Sequence, residues 1–107
     1  MYIRIVTFAI TVSHDDYLAI AEQVAPAFLA WPGLQAKYWI ADEATGRYGG
    51  IYLFTSREAA DATRETDLFR GMAANPAFAD LDVVEYDVLA APTAVTSIAA
   101  VAGSAVA

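Results

Sequence analysis

The chain contains no cysteine, which removes disulfides, thiolate nucleophiles and cysteine-ligated zinc or iron–sulfur centres from consideration. Its single histidine cannot build the usual histidine-based metal site, so no metal is expected. Basic residues are few and scattered, six against thirteen acidic ones, and the formal charge of −7 opposes binding to a phosphate backbone. No nucleic-acid partner is expected. Long apolar runs are also missing, because Arg4, Lys37 and the acidic clusters interrupt every stretch that approaches the ~20 residues of a membrane span. Met1-Tyr2-Ile3-Arg4-Ile5 shows no basic region followed by an apolar stretch and a small-residue cleavage site, so a cytoplasmic protein with no membrane partner is expected.

What is present is one domain's length, 107 residues, with an apolar share of 58%. That share exceeds the roughly 45–50% of a typical soluble domain, so something beyond one monomer's core must absorb the excess. Residues 2–12 are rich in β-branched and aromatic types and read as a strand. Its alternating sets are Ile3, Ile5, Thr7 and Ala9 on one side and Tyr2, Arg4, Val6, Phe8, Ile10 and Val12 on the other. Neither is a water-facing set.

Ser13 as N-cap, with Asp15 and Asp16 in the first turn, opens a helix expected over residues 14–30. Tyr17, Leu18, Ala21, Val24, Ala25, Phe28 and Leu29 form its apolar stripe, with Pro26 expected to bend the last turns. Residues 34–42 and 47–55 read as a hairpin around the turn Glu43-Ala44-Thr45-Gly46, again apolar on both faces. A capping box, Thr55-Ser56-Arg57-Glu58, starts a second helix expected to reach Arg70, followed by a loop containing Phe78. Residues 81–91 alternate acids with apolars in the manner of a charged edge strand. The expected organisation is therefore an α+β domain over residues 1–91, and a small-residue tail, 92–107, reading as an arm rather than a helix.

Two helices cover one face of a four-stranded sheet, yet three strands carry apolar residues on both. A second copy laid sheet to sheet is the economical cover, so a homodimer is expected. Pro32-Gly33-Leu34, Lys37, Trp39 and the run Gly49-Gly50-Ile51-Tyr52-Leu53-Phe54 resemble the YdhR-type mono-oxygenases of the dimeric α+β barrel superfamily. The resemblance spans roughly residues 3–90. It implies a ferredoxin-like βαββαβ fold with a four-stranded antiparallel sheet, a dimer closed through opposed sheet faces, and a ligand held between helices and sheet. It further implies a cofactor-independent monooxygenase acting on a small aromatic or polyketide-like substrate. A non-redox isomerase or cyclase of the same fold, or a non-catalytic small-ligand-binding dimer, are the other readings.

Such chemistry asks the protein for deprotonation, positioning and a dry site. Trp39 can stack on an aromatic ligand and orient an oxygen with its indole N–H, or can simply fill the core. Lys37 shares its strand face by alternation, and a buried amine there could serve as base; the other reading is a lysine reaching to the sheet edge or pairing with a carboxylate. Tyr52 and Tyr38 offer mid-strand phenols for a ligand oxygen, or packing. Arg4 suits either an anionic ligand or an ion pair with Glu85 or Asp87. His14 has the pKa for proton transfer, though its place beside an N-cap also suits an exposed first-turn residue. Gly49-Gly50 lacks the lysine and helix of a phosphate loop and reads as a close backbone approach or a bulge.

Overall fold

The computed structural model describes residues 1–97. Alternating β-branched and aromatic residues set β1, Tyr2–Ile10, and after the Ser13 cap comes α1, His14–Val24, with Ser13 Oγ accepting from Asp16 N. Pro26 cannot donate to an α-helical ladder. The chain accordingly tightens into a 3-10 turn over Ala25–Ala30. Three residues per turn rotate the stripe out of phase, which is why Phe28 stays buried while Leu29 is 86% exposed. Leu18, also assigned to the stripe, is exposed as well.

β2, Leu34–Asp42, and β3, Arg47–Phe54, form the expected hairpin. Gly33 turns into β2 with φ +83, and a Cβ there would lie 2.6 Å from Ala59 Cβ and 2.8 Å from Thr55 Oγ1, so only glycine fits. The second helix divides in two: α2, Arg57–Thr63, and α3, Asp67–Ala74. Ser56, one residue beyond the expected Thr55, caps α2 by accepting from Ala59 N, and Thr66 caps α3 by accepting from Phe69 N. β4 starts earlier than expected, spanning Phe78–Asp87, so Phe78 is strand rather than loop. The stretch after it departs from the expected arm, because Ala90–Thr96 forms a short helix, α4. The remainder of the expected tail, residues 98–107, lies outside the described residues.

The sheet is antiparallel throughout, in the order β2-β3-β1-β4, which is the ferredoxin-like arrangement. β2 and β4 are its edges. The strand register settles which alternating set goes where. Tyr2, Arg4, Val6 and Phe8 of β1 and Tyr48, Tyr52 and Phe54 of β3 are buried, and with Tyr17, Phe28 and Trp31 they form the core under the helices. On the opposite face Ile3, Ile5, Ile40, Ile51, Leu53 and Val84 are half-buried, while Tyr38 and Tyr86 are 58% and 57% exposed. Among the described residues no helix is long and apolar enough to cross a membrane.

Candidate functional site

A cavity of about 330 Å³ lies between the sheet and the helical layer. Aromatic and aliphatic side chains make most of its wall: Phe8 from β1, Tyr17 and Val24 from α1, Phe28 from the 3-10 turn, Met72 from α3 and Phe78 from β4. Lys37 and Trp39 of β2 and Tyr52 of β3 enter from the sheet side. Asp67 and Asn75, from the two ends of α3, add polar groups, and the exposed Asp67 and Gly71 border the opening.

Lys37 and Trp39 are two residues apart on one strand and therefore share a face. Pairing of Lys37 with Tyr52 and of Trp39 with Gly50 turns that face toward the helices. The Lys37 Nζ lies 3.5 Å from the ring centroid of Trp39, 3.6 Å from that of Phe28 and 4.6 Å from that of Tyr52. Gly50 makes this possible, since a Cβ there would sit 2.9 Å from Lys37 Cε. Its neighbour Gly49 admits the β1 backbone, where a Cβ would collide with the Val6 carbonyl. Burial lowers the Lys37 ammonium from its ordinary value to about 7, because the charged form loses hydration and only ring faces compensate it.

The phenols move the other way. Burial, helped by neighbouring Tyr48, pushes Tyr17 up to about 12. Burial raises Tyr52 as well, against the opposing charge of Arg4 and with Tyr17 adding to it. Both hydroxyls stay protonated at neutral pH and can donate; that of Tyr52 is directed at Met72 Sδ, 3.8 Å away, a weak acceptor that a ligand oxygen can displace. The cavity thus combines an amine that loses its proton near neutrality with phenols that keep theirs.

The other residues singled out from the sequence lie elsewhere. Tyr38 is on the opposite sheet face and does not line the cavity. Arg4 is 1% exposed and committed to structure: Nε donates to Glu85 Oε2 at 2.6 Å, NH1 to Thr63 Oγ1 at 2.7 Å and NH2 to the Ala60 carbonyl at 2.8 Å. The rings of Phe54 and Phe69 each lie 5.2 Å from its guanidinium carbon. His14 Nδ1 pairs with the Tyr48 hydroxyl and its Nε2 lies 2.9 Å from Glu43 Oε1, outside the cavity wall. Asp67 and Asn75 escaped the sequence reading because α2 and α3 had been joined. Thr66 followed by Asp67, a cap and a first-turn acid, is the signal that separates them.

The ferredoxin-like α+β fold, a four-stranded antiparallel sheet with helices on one face, is the fold of solved antibiotic-biosynthesis monooxygenase structures. The chain belongs to the family described as Putative mono-oxygenase ydhR, whose model matches residues 3–99 and so reaches past residue 90 to include α4. Among solved structures, an antibiotic biosynthesis monooxygenase superposes with TM-score 0.67 at 21% identity, covering 83% of this chain and 99% of that one. SnoaB, a cofactor-independent oxygenase from Streptomyces nogalater, gives TM-score 0.67 at 13% identity, covering 81% and 91%. A MhuD variant with two manganese protoporphyrin IX bound per active site gives 0.64 at 19%, covering 83% and 95%. At these identities the likeness is one of fold. No curated protein matches the chain.

The porphyrin in that last structure raises the question of haem. The residues here do not fit one: no histidine or cysteine lines the cavity, the single histidine is turned to Tyr48 and Glu43, and burial holds Tyr17 and Tyr52 as neutral phenols.

Proposed function

We propose that this protein is a cofactor-independent monooxygenase that works as a homodimer on a small, electron-rich aromatic or polyketide-like substrate, with Lys37 as base. The observation that carries this reading is the enclosure of the Lys37 amine among Trp39, Phe28 and Tyr52 at the wall of an apolar cavity. A cavity of ~150 Å³ holds one benzene ring, so about 330 Å³ suits a molecule of two or three fused rings. Family membership and the shared fold of SnoaB support the reaction class.

The neutral amine of Lys37 takes the proton of a substrate phenol, enol or activated methylene. Trp39 supplies a plane for the ring, and Tyr17 and Tyr52 donate to the oxygen on which charge collects. The carbanion passes an electron to dissolved O₂, the two radicals join as a hydroperoxide, and loss of water leaves a carbonyl: CH₂ + O₂ → C=O + H₂O. One oxygen atom enters the product, the other leaves as water, and the substrate supplies all four electrons. Water exclusion protects the intermediates on the way.

The uncovered sheet face supports the homodimer, since half-buried Ile3, Ile5, Ile51 and Leu53 with exposed Tyr38 and Tyr86 make a contiguous apolar surface that a second copy would cover. The decisive experiment offers a panel of polyhydroxylated naphthalenes under an oxygen electrode. Oxygen uptake in step with product is the expected result; turnover that continues undiminished without O₂ would sink the oxidative reading and leave the isomerase or cyclase alternative.

A further inference from the structure

Lys37 is the only lysine in the chain; the other five basic residues are arginines. Lysines ordinarily sit on the surface with hydrated ammonium groups, but here the single side-chain amine is carried into the cavity. Among the described residues the ion pairs involve Arg4, His14, Arg57, Arg64 and Arg70, and none reaches Lys37. Three ring faces surround the Nζ, and among the described residues no carboxylate stands within ion-pair distance to hold its proton. An amine so placed is a nucleophile as well as a base.

We propose that Lys37 forms an imine with the carbonyl group of a small ketone or β-dicarbonyl compound bound in the cavity. The Nζ lone pair makes the new bond to the carbonyl carbon. The carbonyl oxygen takes up the two amine protons and leaves as water: R–NH₂ + O=CR′₂ → R–N=CR′₂ + H₂O. No electron changes hands and no O₂ is used, so the step stands independently of the oxygenase reading.

Each part of the surroundings favours this step. Burial brings Lys37 to about 7, which at neutral pH leaves on the order of 1000 times more free amine than an ordinary lysine offers. Apolar walls disfavour the return of water. When the imine protonates, its positive charge inherits the faces of Trp39, Phe28 and Tyr52, which already surround the ammonium. The protonated phenols of Tyr17 and Tyr52 can donate to the departing oxygen.

Having one lysine makes the test clean, because only Lys37 and the terminal amine can form the enamine, which adds one acetylacetone less one water; condensation of the same reagent with an arginine loses two waters and is told apart by mass. The full chain is incubated anaerobically with acetylacetone, a β-diketone whose imine settles into a stable conjugated enamine, and adducts are located by intact mass and peptide mapping. The expected result is an adduct on Lys37 that forms at pH 7 at least ~10-fold faster than on free lysine and gains little above pH 8. Lys37→Arg should leave the enamine mass on the terminal amine alone. An adduct confined to the N-terminus, or a Lys37 rate that climbs steadily to pH 10 as an exposed lysine would, overturns the proposal. Should Lys37→Arg not fold, the pH profile of the unaltered chain decides alone. Oxygen uptake measured separately keeps this outcome apart from the fate of the oxygenase reading.

Discussion

The Nζ of Lys37 lies 3.5 Å from the centroid of the Trp39 ring, two positions further along the same edge strand. An amine and an indole plane are thus held in fixed relation by one strand's pleat, without help from a loop.

The pH dependence of turnover should follow that amine. Its active form is neutral, so kcat/KM rises with pH through about 7 and levels above it. Lys37→Met should lower kcat/KM by ~10²–10⁴-fold and remove this limb. Steady-state kinetics from pH 5 to 9 checks both.

The same substitution should make the protein more stable in acid. An unfolded lysine stays protonated up to about 10.5 whereas the folded one releases its proton at about 7, so between those values unfolding takes up a proton and stability rises with pH. Below pH 7 the penalty for burying the charge is present in full. Lys37→Met should therefore gain on the order of 1–3 kcal/mol at pH 6 and almost nothing at pH 10.5, the gain being held down by partial accessibility and by the ring faces. Urea unfolding at the two pH values measures the difference.

Gly50→Ala should separate site from fold. The new Cβ would lie 2.9 Å from Lys37 Cε, the far end of a flexible side chain, and 3.3 Å from Tyr52 Cε1, so the lysine moves out of its aromatic surround and the Tyr52 ring gives slightly while the sheet persists. Activity should fall ~10-fold or more, a misplacement effect, with a melting temperature within a few degrees of the parent.

Much of this was legible in the sequence, and the reasons differ by element. The hairpin and the shared face of Lys37 and Trp39 followed from strict alternation, which depends on one strand alone. Pro26 was recognised, but its consequence, a change of helical pitch that expels Leu29, needed three-dimensional winding to appear. Which strand face met the helices could not be read, since both were apolar. That one choice separates Tyr52, in the cavity wall, from Tyr38 on the far side. For Arg4 the sequence favours an ion pair with Glu85 or Asp87 over a ligand, and the β1–β4 register selects Glu85.

That pair gives an acid-stability prediction. Burial pushes the Glu85 carboxyl up, but the hydrogen bonds and charges of Arg4, with Tyr2 and Arg64, outweigh it and hold the group below its usual value. A depressed folded-state pKa contributes stability above the ordinary carboxylate range, lost as pH falls through the folded value. Glu85→Ala, which strands the buried Arg4, should cost about 3 kcal/mol at pH 7, and the difference should shrink progressively as the pH is taken below the ordinary carboxylate range. Chemical denaturation of both proteins at each pH is the measurement.

The open sheet face can be tested by charge. Ile51 sits at its centre, paired with Ile5 on one side and Tyr38 on the other. On the proposed homodimeric assembly, Ile51→Asp should convert dimer to monomer in light scattering coupled to size exclusion, with the secondary structure seen by circular dichroism retained.

β2 carries this surface on one side, through Tyr38 and Ile40, and the Lys37–Trp39 pair on the other. An edge strand has only one neighbour to hold it, so the firmness of the catalytic side depends on what presses against the back. Specific activity should therefore be a property of concentration: on dilution past the point where protomers part, each loses turnover before it loses its fold.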